Sequence, residues 1–131
     1  MAGPAAAGVL IYAKDLNRLA QFYAQVLAMR EVHREAALVV LESSALQLVI
    51  HAIPAEIAAH IQISTPPQRR ADAAIKFFVT VASMSTAGQQ AAALGGQVFD
   101  ERWQGPDFAL CNAMDCEGNV FQLRETLEAV H

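Results

Sequence analysis

Hydrophobic positions in the N-terminal third of the chain follow two different periods. Gly8 to Ala13 is a short run of β-branched, aliphatic and aromatic side chains that predicts a buried strand. Asp15 then offers an N-cap, because its carboxylate can accept a hydrogen bond from the first turn of a helix. Apolar residues after it recur at three- and four-residue spacing, which predicts a helix packed by one face; they are Leu16, Leu19, Ala20, Phe22, Tyr23, Val26 and Leu27.

Three short strand-like runs follow this helix, and the breaks between them are too short to hold another helix. They are Arg30 to Arg34, Ala37 to Glu42 and Ala45 to Ile50. The first part of the chain is therefore predicted to have the order β-α-β-β-β.

The second half of the chain repeats this order of elements. A strand at Ala74 to Val81 precedes a helix from about Met84 to Leu94, and Gly95-Gly96 ends that helix because glycine tolerates the left-handed cap conformation. Three more strands are predicted, near Gln97 to Trp103, Phe108 to Met114 and Asn119 to Arg124.

The spacing of matching elements supports a structural duplication. The predicted caps Asp15 and Ser83 are 68 positions apart, and Gly8 and Lys76 each lie seven residues before their cap. We predict one domain over residues 1–131, with module one at about 8–53, a linker at about 54–73 and module two at about 74–125. The linker carries three prolines, which stiffen it, so we expect it to be structured.

Composition and charge narrow the class of protein. Hydrophobic residues make up 54% of the chain and charged residues 17%, an apolar surplus that indicates a buried interface or an apolar pocket. The net charge of -4 and the scattered cations argue against a nucleic-acid partner. Polar interruptions rule out an apolar membrane span, and the N-terminus lacks the cationic start of a secretory signal, so a cytoplasmic location is expected.

The two cysteines, Cys111 and Cys116, lie five positions apart rather than at the spacing of a redox or zinc pair. We expect both to be small buried side chains in a strand and in the turn after it. Arg69-Arg70 is interpreted as a solvated face of the linker. Trp103, the only tryptophan, is interpreted as a residue that covers a ligand pocket or a contact between two subunits.

Three local signatures resemble the vicinal-oxygen-chelate superfamily, which includes glyoxalase I, bleomycin-resistance proteins and extradiol dioxygenases. Val9 to Tyr23 resembles the family's opening strand, which is followed by Asp-Leu and by a helix that carries Phe-Tyr. Leu27-Ala28-Met29 follows where the family usually has Leu-Gly-Phe. Met114 to Leu123 resembles the family's closing Asp-Pro-Asp-Gly-Asn turn and last strand. The resemblance implies an α+β fold, in which two tandem βαβββ modules form a cup-shaped curved mixed sheet with helices outside.

The resemblance also implies where a metal ion would be held in metal-dependent members. One side chain from the first and one from the last strand of each module would supply the ligands, and these positions carry Gly8, Gln47, Lys76 and Gln122. Glycine has no ligand atom, and a lysine ammonium is a donor without an acceptor. Two neutral amides beside a fixed positive charge are a poor set for a divalent cation, so we predict neither a metal nor another cofactor.

Side chains two apart on a strand share a face, which adds neighbours to these four positions. Tyr12 and His51 accompany them in module one, and Phe78 and Arg124 in module two. A cup of this kind suits a small, partly apolar ligand with an anionic or carbonyl group that pairs with Lys76. For Lys76 the alternative is a side chain that extends into solvent, and for His51 a hydrogen-bonded surface position.

Several functions remain open from the sequence. The first is a metal-free binding protein like the drug-sequestering members of the family, expected to form a homodimer. The second is an enzyme: a metal-dependent lyase, isomerase or dioxygenase, or a metal-independent isomerase that uses His51 or Lys76. The third is a structural or regulatory domain without an enclosed pocket.

Overall fold

The first helix begins where the sequence predicts it. A computed structural model of the protein describes residues 5–127, and its helix α1 spans Leu16–Val26. The Asp15 carboxylate accepts a hydrogen bond from the Arg18 backbone N–H at 3.2 Å, which satisfies one of the free donors of the first turn. Its apolar stripe is buried, with Leu19, Ala20, Phe22, Tyr23 and Val26 facing the core.

Four strands form the sheet of the first unit, in the order β1-β4-β3-β2. Strand β1 is parallel to β4, and the other pairs are antiparallel. Side chains alternate along β3 and β4, and the buried ones form the core face beneath α1, namely Val39, Leu41, Leu48 and Ile50. The four strands are β1 Gly8–Ala13, β2 Arg30–Glu35, β3 Leu38–Glu42 and β4 Gln47–Ala52.

Strand β2 forms one edge of this sheet, and each of its six residues is exposed. The Arg34 guanidinium lies 2.7 Å from the Glu31 carboxylate, and its hydrogen bond holds the pKa of Glu31 below the ordinary value. Arg34 also donates to Asn17 Oδ1 of α1 at 2.6 Å. The strand is therefore held to the unit by its backbone pairing with β3 and by these polar side chains.

The first unit ends after a short helix, and the boundary with the second unit falls between Gln62 and Ile63. This helix, α2, covers Ala55–Ala58, within the linker that the sequence predicts to be structured. In the second unit the sheet has the order β5-β9-β8-β6, and β7 also pairs with β8. Its elements are β5 Phe78–Thr80, α3 Met84–Ala93, β6 Gln97–Val98, β7 Trp103–Gly105, β8 Phe108–Met114 and β9 Val120–Thr126.

Helix α3 is capped at both ends. Ser83 Oγ accepts from the Thr86 N–H at 3.1 Å, and the Glu125 carboxylate accepts from the Met84 N–H at 2.6 Å. Gly95 follows the helix with φ of 90°, which confirms the predicted left-handed stop. Cys111 is fully buried near Met84, and burial raises the pKa of its thiol.

Three strands differ from the sequence prediction. The strand expected at 74–81 is only Phe78–Thr80; parallel pairing sets Phe78 against Gln122, so residues 74 and 75 would fall beside the turn before β9. The strand expected at 97–103 is split, since β6 and β7 pair with opposite ends of β8. Strand β4 begins at Gln47, two residues late, because the Ser43 N–H and the Leu46 carbonyl close a turn before it.

The turn between β8 and β9 is held by one buried carboxylate. Asp115 Oδ1 accepts from the backbone N–H of Glu117 at 2.8 Å and of Asn119 at 3.1 Å, while Oδ2 accepts from Asn119 Nδ2 at 2.8 Å. Gly118 has φ of 89°, and a Cβ there would meet the Gln68 carbonyl oxygen at 2.2 Å. The position requires glycine both for its conformation and for the close approach of the linker.

The fold class is confirmed: the chain is α+β and contains two units of βαβββ order, with β6 and β7 together in the place of one strand. The predicted burial of Cys111 and Cys116 is also confirmed. Within residues 5–127, no helix has both the length and the apolar character needed to cross a membrane.

Two glycine substitutions should shift stability in opposite directions. We expect Gly118→Ala to lower the free energy of unfolding by at least about 2 kcal/mol, because it adds left-handed strain and a clash with the Gln68 carbonyl. Gly88→Ala is the control, since its Cβ would meet only Val98 at an ordinary 3.6 Å inside α3. It should stabilise by about 0.5–1 kcal/mol. Urea unfolding measures both, and an unchanged Gly118→Ala midpoint would contradict the close approach.

Candidate functional site

Each unit has a sheet face that its own helix does not cover, and the site residues predicted from sequence lie on these two faces. In the first unit, the parallel register sets Gly8 opposite Gln47 and Tyr12 opposite His51. We call this surface the first open face; it comprises Gly8, Leu10, Tyr12, Leu38, Val40, Glu42, Gln47, Val49 and His51, all half-buried or exposed.

Tyr12 and His51 form a ring pair on the first open face, with centroids 5.6 Å apart and planes tilted by 56°. The His51 Nδ1 atom lies 2.8 Å from the Ala52 carbonyl oxygen. Because a carbonyl oxygen only accepts, Nδ1 carries the proton of the neutral ring, and Nε2 keeps its lone pair. His51 is thus held in a tautomer that can accept a proton from a ligand.

The second open face is polar at its centre. Lys76 Nζ donates to Asn112 Oδ1 at 2.9 Å, and Asn112 pairs in register with Gln122. The Gln122 amide oxygen accepts from Arg124 Nε at 2.9 Å. We use the name second open face for Lys76, Phe78, Thr80, Phe108, Leu110, Asn112, Val120, Gln122 and Arg124.

Arg124 is also held by aromatic rings. Its guanidinium carbon lies 3.6 Å from the centroid of the Phe78 ring and 4.8 Å from that of Phe108. Cation–π attraction together with the Gln122 hydrogen bond fixes the guanidinium plane on the sheet. Four of the predicted site residues, Lys76, Phe78, Gln122 and Arg124, therefore lie on one surface.

The register of the two units differs at the positions to which the family resemblance assigns metal ligands. Gln47 pairs with Gly8, seven residues before its helix cap, whereas Gln122 pairs with Phe78, five residues before its cap. By register the counterpart of Gln122 is Val49, which pairs with Leu10. The apolar side chain of Val49 leaves this counterpart position without a ligand atom.

The residues at these positions do not fit a divalent cation. A Cβ on Gly8 would meet the backbone oxygen of Gln47 at 2.6 Å, so this position has no room for a ligating side chain while the strands keep their pairing. The Gln47 amide donates to Glu42 at 3.1 Å, and Lys76 contributes only a cation. Among residues 5–127, no group of three or more His, Cys, Asp or Glu side chains is placed to hold a metal ion.

A cavity of about 160 Å³ lies where the linker meets the second sheet. The Arg69 guanidinium stacks on the Phe99 ring with 3.9 Å to the centroid, and the Arg70 backbone and side chain both donate to carbonyls of the Asp115 turn. Both arginines are exposed, as expected of a solvated face, but each also has a contact that the sequence does not predict. The cavity is lined by Arg69, Arg70, Ala71, Ala73, Ile75, Lys76, Asn112 and Val120.

Sequence reasoning missed Asn112 and the arginine pair for different reasons. Asn112 is a polar residue in the apolar strand Phe108–Met114. It lies two positions from Leu110, so strand alternation alone could have placed both side chains on the open face. The arginines are brought to the sheet by the contact between Gln68 and Gly118, which is distant in sequence. No pattern in the neighbouring sequence predicts that contact.

Solved structures similar to this chain share one architecture. A glyoxalase/bleomycin resistance protein/dioxygenase family enzyme from Burkholderia phytofirmans PsJN matches with a TM-score of 0.64 and 18% identity, over 90% of this chain and 95% of that chain. The fosfomycin resistance protein FosX from Listeria monocytogenes matches with a TM-score of 0.65 and 15% identity, over 95% and 94%. A bleomycin-binding protein complexed with bleomycin gives 0.60 and 15%, over 94% and 99%.

At these identities the structural matches show the fold alone, and a search of curated proteins finds no significant match. The family model of the glyoxalase-like domain matches residues 8–124, from the first residue of β1 to within two residues of the end of β9. The chain therefore belongs to the glyoxalase-like domain family of the vicinal-oxygen-chelate superfamily.

Proposed function

We propose that this protein binds a small, partly apolar ligand with an anionic group on the second open face, without a metal ion. The observation that carries the proposal is that two cations each donate a hydrogen bond to an amide side chain: Lys76 donates to Asn112, and Arg124 donates to Gln122. The cations are held in place before a ligand arrives, which lowers the entropy lost on binding.

The chemistry of the second open face matches such a ligand. Phe78 is 54% exposed and Phe108 is half-buried, so both offer ring surface to an apolar group. Neither Lys76 nor Arg124 forms an ion pair with a carboxylate among the described residues, which leaves their charge for an anion. A structural relative that is complexed with bleomycin supports a binding role for this fold.

A second candidate function is a metal-independent enzyme that uses His51 as a general base. The observation in its favour is the hydrogen bond from Nδ1 to the Ala52 carbonyl, which leaves Nε2 as the basic atom beside Tyr12. It requires a substrate hydrogen within reach of Nε2. We rank it second because the first open face, on which His51 lies, carries no cation that would stabilise a developing negative charge.

We include a homodimer in the proposal. It is supported by the first open face, where Leu10 is 51% and Tyr12 60% exposed side by side on β1. Exposed apolar side chains of this size on one sheet face are typical of a surface that contacts another protein.

Lys76 should determine the preference for anions. We expect aromatic carboxylates to raise the melting temperature more than their neutral amides, and Lys76→Met to weaken carboxylate binding about tenfold or more, because a charge-assisted hydrogen bond contributes about 1.5–3 kcal/mol. Lys14→Met removes the only other lysine and is the matched control. Equal binding of carboxylate and amide, or an equal effect of the control, would refute the anchor.

The metal content of the protein should be low, and it should not rise when a metal-ligating side chain is introduced at Gly8. Protein purified without chelator is expected to carry well under one equivalent of zinc, nickel, manganese or iron by elemental analysis. Gly8→His should bind no more metal and should be less stable, since the new Cβ clashes with Gln47. A stoichiometric metal in the unmodified protein would overturn the assignment.

The dimer should depend on the first open face. Sedimentation velocity is expected to give the mass of two chains at micromolar concentration, and Tyr12→Glu to give that of one, because a carboxylate buried in an apolar contact is costly. Ile57→Glu is the control, being similarly exposed at 54% but on α2. Dimers that survive Tyr12→Glu would place the contact elsewhere.

A further inference from the structure

We infer that the cavity at the start of the second unit is a subsite for a doubly charged oxyanion, such as the phosphate group of a small organic phosphate. It is built by Arg69 and Arg70 of the linker together with Lys76 and Asn112. This inference rests on the proposed function for the remainder of the ligand and adds the chemical class of its anionic end.

The cations around the cavity are each restrained by a separate contact. The Arg70 backbone N–H donates to the Gly118 carbonyl at 3.0 Å, and its Nε donates to the Glu117 carbonyl at 3.3 Å. Arg69 is stacked on Phe99, which occupies the face of its guanidinium and leaves the N–H edge for hydrogen bonds. Lys76 donates to Asn112, so each of the three cations at the cavity has a contact that favours one position of its side chain.

The balance of charge at the cavity favours a dianion. Three cationic side chains and no carboxylate line it, and none of the three forms an ion pair within the described residues. The whole protein carries nine cations and a net charge of -4, so this is a strong local concentration of positive charge in an acidic chain. A monocarboxylate would leave most of that charge unneutralised, whereas a phosphate dianion would balance two of the three cations.

The size and position of the cavity also fit this group. Its volume of about 160 Å³ is some ten times the roughly 15 Å³ that one water needs, which leaves room for a tetrahedral oxyanion. Lys76, Asn112 and Val120 belong both to the cavity and to the second open face. A ligand can therefore place its anionic end among the arginines while its apolar part lies along the sheet towards Phe78.

Inorganic anions test the subsite directly on the full chain. At constant ionic strength, phosphate and sulfate are expected to bind measurably by calorimetry, and acetate about tenfold or more weakly. Arg69→Gln/Arg70→Gln should weaken phosphate binding about tenfold or more, while Arg18→Gln/Arg30→Gln, a pair of exposed arginines in the first unit, should not change it. Equal affinities for acetate and phosphate, or equal losses in both variants, would overturn the inference.

Arg70 also holds the turn, so a measurement on the unmodified protein is included. Phosphate should shift the NMR signals of the arginine side-chain N–H groups, and the shifted signals should be those absent from Arg69→Gln and from Arg70→Gln made singly. Arg69→Gln leaves the Arg70 contacts with the turn intact. If the shifted signals belong to other arginines, phosphate binds elsewhere and the subsite is refuted.

Phenyl phosphate separates this inference from the proposed function. Its affinity should exceed that of inorganic phosphate, and Phe78→Ala should remove this increment. If the increment is present but insensitive to the arginine variants, the second open face binds ligands and the subsite fails. If inorganic phosphate binds through the arginines but phenyl phosphate gains nothing, the subsite holds and the proposed function fails.

Discussion

The hydrogen bonds of the buried Asp115 carboxylate are the interaction on which the second unit depends. They close the turn between β8 and β9, and so they set Asn112 opposite Gln122 and Leu110 opposite Arg124. The same turn presents the Gly118 carbonyl that anchors the linker at Arg70. Pairing of the sheet, placement of its amides and the wall of the cavity thus follow from one satisfied carboxylate.

Local signals were sufficient for much of the fold. The caps at Asp15 and Ser83, the apolar stripe of α1 and the stop at Gly95 involve residues within one or two helical turns of each other, so the sequence displays them directly. The ends of strands were less predictable. Strand β5 is shorter than predicted, because its distant partner β9 begins at Val120 and residues 74 and 75 would have no strand beside them.

The residues of the candidate site could be predicted where they follow from the alternation of side chains along a strand. Residues of the two open faces follow from alternation, and the shared face of Phe78, Gln122 and Arg124 is an example. The arginine pair was not predictable, because a contact between glycine and a carbonyl brings it to the sheet. The two glutamines that the resemblance assigned to metal ligands bind other side chains here: Gln47 donates to Glu42, and Gln122 accepts from Arg124. Residue type alone could not predict these partners.

Strand β2 has a consequence for the behaviour of the protein at high concentration. It lies at the edge of its sheet with every residue exposed, and an open backbone edge can pair with a strand from another molecule. Its sequence, Arg-Glu-Val-His-Arg-Glu, carries charges of both signs on both sides of the strand. Stacking a second copy in register would bring like charges together, so the strand opposes fibrillar aggregation by its own composition.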